Sequence, residues 1–252
     1  MFYGNFKDGR GEKFIAALAL FKDIFGAVYA NDNLIGLQRS TGFLQDPRFK
    51  DAMRAHSRTK QEASLGWRLH TLCWAAGQAL KLKGDFVECG VLTGFSMGVV
   101  SDYVDFVQTG RRMYLYDTFE GIPEAYNSEA RSNAAIEKMN AAGKETIYDI
   151  ARLRFADTPN VQLVRGIVPD SFAEACPDQI AFLHIDMNSA ASEIAALEAL
   201  YDRVVPGGYI VFDDYGWTGY AAQKHAEDDW LGARGQRVLE LPTGQGLVVK
   251  LG

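Results

Sequence analysis

From Ser64 onward the chain alternates short apolar runs with stretches whose apolar positions recur every three or four residues. Phe86-Val87, Met113-Tyr114-Leu115-Tyr116, Val161-Gln162-Leu163-Val164, Ile180 to Ile185 and Tyr209-Ile210-Val211-Phe212 read as strands. Strands that are apolar at consecutive positions must be buried on both faces, which requires a mostly parallel sheet clad in helices. The helices read from the intervening periodicity. Leu65, Leu69, Leu72, Cys73, Ala76 and Leu80 mark one that ends near Gly84. Phe95, Met97, Val100, Val104 and Val107 mark a second, and Ile194, Leu197, Leu200 and Tyr201 a third. Two last runs, 237–241 and 246–250, joined by Pro242-Thr243-Gly244, predict an antiparallel hairpin at the sheet edge. The expectation for residues 61–252 is a doubly wound α/β domain with a mostly parallel seven-stranded sheet and an antiparallel C-terminal hairpin.

Residues 1–60 read as an extension to that domain. Phe14, Ile15, Leu18, Phe21, Ile24, Phe25 and Val28 predict a helix over about 12–29. The polar, turn-rich segment 31–60, with Gly36, Gly42 and Pro47, predicts an irregular lid or subunit contact. Composition narrows the function classes. The 32 acidic against 26 basic residues give a net charge of -6, which argues against a dedicated nucleic-acid binder. The cysteines Cys73, Cys89 and Cys176 have no paired spacing and read as reduced thiols, neither a disulfide framework nor a zinc site. No run approaches the ~20 apolar residues of a membrane span. The N-terminal stretch mixes charges and glycines where a signal peptide has an apolar core, so a cytoplasmic protein is expected.

In doubly wound sheets, ligands bind beyond the carboxyl ends of the strands. The first strand runs into Glu88-Cys89-Gly90-Val91-Leu92-Thr93-Gly94-Phe95-Ser96. That is a glutamate followed by G-x-x-x-G, not the G-x-G-x-x-G of a pyrophosphate cradle. A carboxylate here repels phosphates and suits positive groups such as the ammonium and sulfonium of S-adenosylmethionine; a plain strand-to-helix turn is the alternative. Asp117 ends the second strand, where an acid can take both ribose hydroxyls, cap the following turn, or do both. Asp186 ends the fourth strand, and Asp213-Asp214 end the fifth, 27 residues after Asp186. Three carboxylates at neighbouring strand ends are costly unless protons or a cation relieve them, and a hard divalent ion, magnesium by preference, is favoured.

With these residues in view, the chain resembles the macrocin O-methyltransferase family (the TylF/MycF type), magnesium-dependent enzymes that methylate sugar hydroxyls of natural products with S-adenosylmethionine. The resemblance covers about residues 60–235. It is carried by GDFVECGVLTGFSMG at 84–98, YDTFEGIPE at 116–124, VQLVRGIVPDSF at 161–172, HIDMNS at 184–189 and PGGYIVFDDYGWTGYAAQKHA at 206–226. It implies a Rossmann-like class I methyltransferase. Glu88, Gly90, Gly94 and Ser96 would line the methionine end of the cofactor, and Asp117 and Thr118 the ribose. Gly166-Ile167 would border the adenine. Asp186, Asp213 and Asp214 would hold Mg2+, a layout similar to that of catechol O-methyltransferase, with Asp186 also touching cofactor and acceptor.

The chain departs from the family at two places. Asn188 stands where the family has the second aspartate of Asp-x-Asp-x-Tyr, its proposed general base, and asparagine accepts no proton at neutral pH. Leu92-Thr93-Gly94-Phe95 replaces the usual Trp-Arg-Gly-Gly. Either another group is the base, or the metal alone lowers the hydroxyl pKa enough, or the acceptor is more acidic than a sugar. His225, on a predicted helix and taken with Asp186 as a catalytic residue, and His56 in the lid are the open candidates for a base; His184 reads as a core histidine. The resulting expectation is an O-methyltransferase acting on a hydroxyl of a small molecule, a sugar or natural product, Mg-assisted and a homodimer. A metal-free methyltransferase and an inactive S-adenosylmethionine-binding homologue are the alternatives; a nicotinamide oxidoreductase lacks its phosphate-binding glycines. Acceptor specificity is expected from the segments 31–60, 121–150 and 215–235, where Tyr126, Trp217, Tyr220 and Trp230 supply aromatic surface.

Overall fold

The computed structural model describes every residue except Lys144. Seven strands form the main sheet: β3 (Asp85–Cys89), β4 (Met113–Asp117), β5 (Val161–Arg165), β6 (Ile180–Ile185), β7 (Val204–Phe212), β8 (Leu239–Glu240) and β9 (Gly246–Val249). Their order is β5-β4-β3-β6-β7-β9-β8, parallel from β5 to β7 and antiparallel where β9 meets β7 and β8. The chain leaves the central pair in opposite directions, β3 toward β4 and β6 toward β7. That reversal opens a crevice above β3 and β6.

Successive residues of each strand go to opposite faces, and both faces are dry. Phe86, Leu115, Phe182 and Val211 pack on one face against α3 (Gly66–Ala79) and α4 (Phe95–Tyr103), through Leu69, Leu72 and Met97. Val87, Tyr116, Leu183, Ile185 and Phe212 pack on the other against α7 (Ala190–Leu200) and α8 (Ala221–Gly232), through Leu197, Leu200 and Leu231. Each fully buried side chain of this size contributes about 2–3 kcal/mol, which explains why the strands tolerate no polar alternation. The fold expected from the sequence, including the edge hairpin, is the fold observed.

The first 60 residues differ from expectation. The first helix, α1 (Arg10–Phe25), stops earlier because Gly26 turns the chain at φ 71. Val28 instead opens β1 (Val28–Asn31), which pairs with β2 (Leu34–Leu37) in a separate two-stranded hairpin. The segment read as irregular also contains α2 (Pro47–His56). Asp46 caps it by accepting from the backbone N–H of Arg48 and Phe49, and Pro47 takes the first helical position. Only Phe49 and Ala52 are buried there, so its apolar stripe is too thin to stand out among its charges. Segment 121–150 likewise carries α5 (Ala134–Ala142) and the start of α6 (Ile147–Arg154); Lys144, inside it, lies outside the described residues. Among the described residues no helix is long and apolar enough to cross a membrane, and Cys73, Cys89 and Cys176 are free thiols.

Candidate active site

The parallel register builds the site. Cys89 is level with Tyr116 and with Ile185, and Ile185 with Phe212. The next residues, Gly90, Asp117, Asp186 and Asp213, therefore emerge side by side. Backbone bonds fix them there: Gly90 N donates to Tyr116 O (2.9 Å), Asp186 N to Cys89 O (2.8 Å) and Asp213 N to Ile185 O (3.0 Å). Gly90 has φ 89, and a Cβ on it would overlap the Asp186 carbonyl oxygen, so no other residue fits. Gly94 starts α4 at φ 74 with Phe155 against it.

The Asp117 carboxylate ties the two loops together. Oδ2 accepts from the N–H of Val91 and Leu92, both at 2.7 Å, and Oδ1 from Phe119 N–H at 2.7 Å. It caps its turn while still lining the cavity above. That cavity, about 580 Å3, is lined by Gly90, Leu92, Asp117, Thr118, Gly166, Ile167, Asp186, Asn188 and Tyr220 among others. Its volume lies in the range of small-molecule and cofactor sites. Thr118 turns its hydroxyl to Gly121 O (2.7 Å) and so shapes the loop.

Beside the cavity, Asp186, Asp213 and Asp214 each present a carboxylate oxygen, all within 4.8 Å of one another. Burial, then Asp213 and Asp214, pushes Asp186 well above the usual carboxylate range. Burial and Asp213 push Asp214 up to about 7. Burial would raise Asp213 too, but Arg68 and His184 outweigh it and hold that carboxyl well below its ordinary value. Among the described residues, the Asp186 carboxylate has only a long contact from the Asn188 amide, 3.4 Å. A hard divalent cation fits this donor set, since it would relieve the repulsion that now burdens Asp186 and Asp214.

Two cations already serve the acids. His184 sits level with Glu88 on β6, and its Nδ1 lies 2.8 Å from Glu88 Oε1 while Nε2 faces Asp213 Oδ1 at 3.7 Å. Burial opposes the imidazolium, yet Asp213 and Glu88 raise His184 to about 10. Arg68 of α3 donates through Nη1 to Asp213 (2.5 Å), with Asp214 at 3.5 Å, and through Nε and Nη2 to Asp32 (3.1 and 3.3 Å).

Several of the expected residues lie away from the cavity wall. Glu88 is 1% exposed and does not line the cavity; it is spent on His184, beneath the loop, because the β3–β6 register points both side chains to the same face. Ser96 is half-buried in the first turn of α4 and is not in the cavity wall. His225 is exposed on α8, where Gln223 and Glu227 face inward. Those two are four apart, so the residue midway between them lies on the opposite side of the helix, away from Asp186. His56 pairs with Asp102 (2.8 Å) and with Arg154 (3.0 Å), holding α2 to α4, and is likewise outside the cavity. Of the aromatics, Tyr220 lines the cavity and Trp217 packs over Arg68, whereas Trp230 packs on Tyr201 and Tyr126 lines a separate surface depression.

The profile of the macrocin-O-methyltransferase (TylF) family matches residues 48–235. The chain belongs to this family. A tetracenomycin-C rhamnosyl 4'-O-methyltransferase of Streptomyces olivaceus is 29% identical over 144 residues, 53% of this chain and 54% of that protein. The mycinamicin III 3''-O-methyltransferase of Micromonospora griseorubida is 25% identical over 161 residues, 59% of this chain and 62% of that one. These matches span little more than half the length of either relative. Among solved structures, the O-methyltransferase NovP superposes with a TM-score of 0.60 at 22% identity, over 73% of this chain and 80% of that chain. CalS11, a TDP-rhamnose 3'-O-methyltransferase, superposes at 0.55 with 18% identity over 94% of both chains. At that identity the likeness is one of fold.

This member of the macrocin O-methyltransferase family carries the three strand-end acids Asp186, Asp213 and Asp214, and Asn188, at φ 57, in the loop after β6. Sequence reading missed Arg68 and Asp32. One signal was available: Arg68 falls between Leu65 and Leu72 on the apolar stripe of α3, and a charge at a core position implies a buried partner.

Proposed function

We propose that this protein is an S-adenosylmethionine-dependent O-methyltransferase whose acceptor is a hydroxyl of a sugar or other natural product, assisted by Mg2+. The observation that supports it most is the convergence of Gly90, Asp117 and Asp186 on one cavity with the Asp186/Asp213/Asp214 trio at its side. The activities of the two relatives, 4'-O-methylation of a rhamnosyl-tetracenomycin C and 3''-O-methylation of mycinamicin III, support the acceptor class. S-adenosylmethionine, held above Gly90 and Asp117, would supply the methyl group, as an electrophile on a sulfonium, for transfer to the acceptor oxygen with S-adenosylhomocysteine as the leaving group. Mg2+, held by Asp186, Asp213 and Asp214, would supply Lewis acidity that lowers the acceptor's pKa.

The chain's own part is positioning and proton transfer. Asp117, held by three N–H groups, would offer its remaining lone pairs to the ribose hydroxyls, Gly90 would leave room for the sulfonium end, and Gly166 and Ile167 would border the adenine. The Asp186 carboxylate takes the acceptor's proton; Asn188, whose amide approaches Oδ1 at 3.4 Å, accepts none. Asp186 is preferred to the histidines because His225 is exposed on α8, His56 pairs with Asp102 and His184 is buried against Glu88. A cytoplasmic homodimer with residues 1–60 as lid or contact and 61–252 as catalytic domain completes the reading, supported by free thiols and by the exposed Ile15, Leu20 and Ile24 of α1.

The test is calorimetric titration of S-adenosylmethionine into the protein with Mg2+ and then with chelator, the Asp213→Asn/Asp214→Asn protein serving as control. Micromolar cofactor binding and a Mg2+ heat absent from the double variant are expected. Cofactor binding with no Mg2+ heat in the wild type would leave a metal-free transferase, and no cofactor binding would refute the reading.

A further inference from the structure

Arg68 is 11% exposed, and its guanidinium is shared between two parts of the chain that are far apart in sequence. One edge, Nε and Nη2, is taken by Asp32 at the tip of the β1–β2 hairpin, itself 6% exposed. The other, Nη1, reaches Asp213 and Asp214. Trp217 closes over the guanidinium, its ring centre 5.3 Å from Cζ, and Tyr3 packs edge-on against Trp217. The N-terminal strap and hairpin tip thus reach the strand-end acids through a single arginine.

We propose that Arg68 is a positioning residue that sets how tightly the Asp186/Asp213/Asp214 trio holds a divalent cation, and that Asp32 sets Arg68. The inference rests on the reading of that trio as a divalent seat. Arg68 supplies the positive charge that lets the acids stay buried without a metal, and the same charge opposes an arriving cation. Asp32 draws part of that charge toward the hairpin and so lowers the opposition. The cation affinity of the seat is therefore written into the hairpin tip, which touches none of the three acids.

Two signs follow that a merely structural role would not give. Arg68→Gln removes the opposing charge and should tighten Mn2+ binding by about tenfold or more, as removal of a like charge beside a divalent ion requires. Loss of architecture alone would weaken it. Asp32→Asn leaves Arg68 wholly to Asp213 and Asp214 and should weaken Mn2+ binding about three- to tenfold. In the Arg68→Gln background the same Asp32 change should have little effect, because its route to the acids is gone. Arg68→Lys keeps the charge and should stay near wild type.

The experiment is Mn2+ titration of the full-length protein and these variants, with free Mn2+ read by electron paramagnetic resonance, and with folding checked by circular dichroism. Tighter binding by Arg68→Gln, weaker by Asp32→Asn and loss of the Asp32 effect in the double variant support the proposal. Equal or weaker binding by Arg68→Gln, with wild type binding Mn2+, overturns the role of Arg68 and leaves the divalent seat standing. No Mn2+ binding by wild type or by Arg68→Gln, while S-adenosylmethionine still binds, overturns the divalent seat and this inference with it. If Arg68→Gln does not fold, Asp32→Asn decides alone, and an unchanged affinity refutes the coupling.

Discussion

Gly90 and Asp186 stand so close that a single carbon added to the glycine would occupy the space of the aspartate's carbonyl oxygen. Two adjacent parallel strands end there, and the chain above β3 can turn toward its helix only across the backbone above β6. Gly90→Ala adds that carbon and also forces an L residue to φ 89. The variant should lose about 2–4 kcal/mol of stability and its S-adenosylmethionine heat together. A protein that melts as wild type and binds the cofactor would show that the loop has another conformation.

Asp117 organises the opposite lip. Its carboxylate takes three N–H groups from Val91, Leu92 and Phe119. Asp117→Ala should cost about 2–4 kcal/mol, because charge-assisted bonds to otherwise unpaired backbone donors are lost. Its effect on S-adenosylmethionine affinity should be larger than that of Thr118→Ala, since Thr118 spends its hydroxyl on Gly121. Calorimetry on both variants checks the order; equal losses would place the ribose elsewhere.

The strand-end residues could be read in advance because a parallel strand announces its end: the apolar run stops and the next residue faces the crevice. Gly90, Asp117, Asp186 and Asp213 were all found that way. Arg68 and Asp213 are separated by 145 residues, and no local pattern links two such charges. The pairing of Glu88 was hidden for the same reason, since only its register with His184 shows that the acid has a partner. His225 was chosen for its chemistry, and its exposure shows only in the structure, where the polar Gln223 and Glu227, two before and two after it, are the inward residues. α2 was lost because its charges hide two buried residues.

His184 and Glu88 form a dry ion pair, 0% and 2% exposed, directly under the acidic trio. His184→Leu would leave the Glu88 carboxylate buried with no partner, and should cost about 3–5 kcal/mol in urea unfolding. Glu88→Gln in the same protein removes that stranded charge and should recover most of the loss. A double-mutant cycle measures this; additive losses would mean that the two groups do not depend on one another.

The last prediction concerns pH. Glu193 of α7 and Glu227 of α8 are 2% and 1% exposed. Gln223 donates to Glu193 at 2.7 Å. Burial, then the neighbouring Glu227, pushes Glu193 well above its ordinary value, and burial pushes Glu227 up to about 7. An acid whose folded pKa exceeds its unfolded value stabilises the protein while it is protonated, and that contribution is lost as pH rises through the folded pKa. The α7–α8 contact should therefore weaken between about pH 5 and pH 8. Glu227→Gln keeps a neutral side chain of the same shape at every pH. It should melt close to wild type at pH 5 and be more stable by about 1–3 kcal/mol at pH 8, as thermal unfolding at the two pH values would read. A variant less stable than wild type at pH 8 would mean that Glu227 is ionised and paired in the folded protein, against the burial that surrounds it.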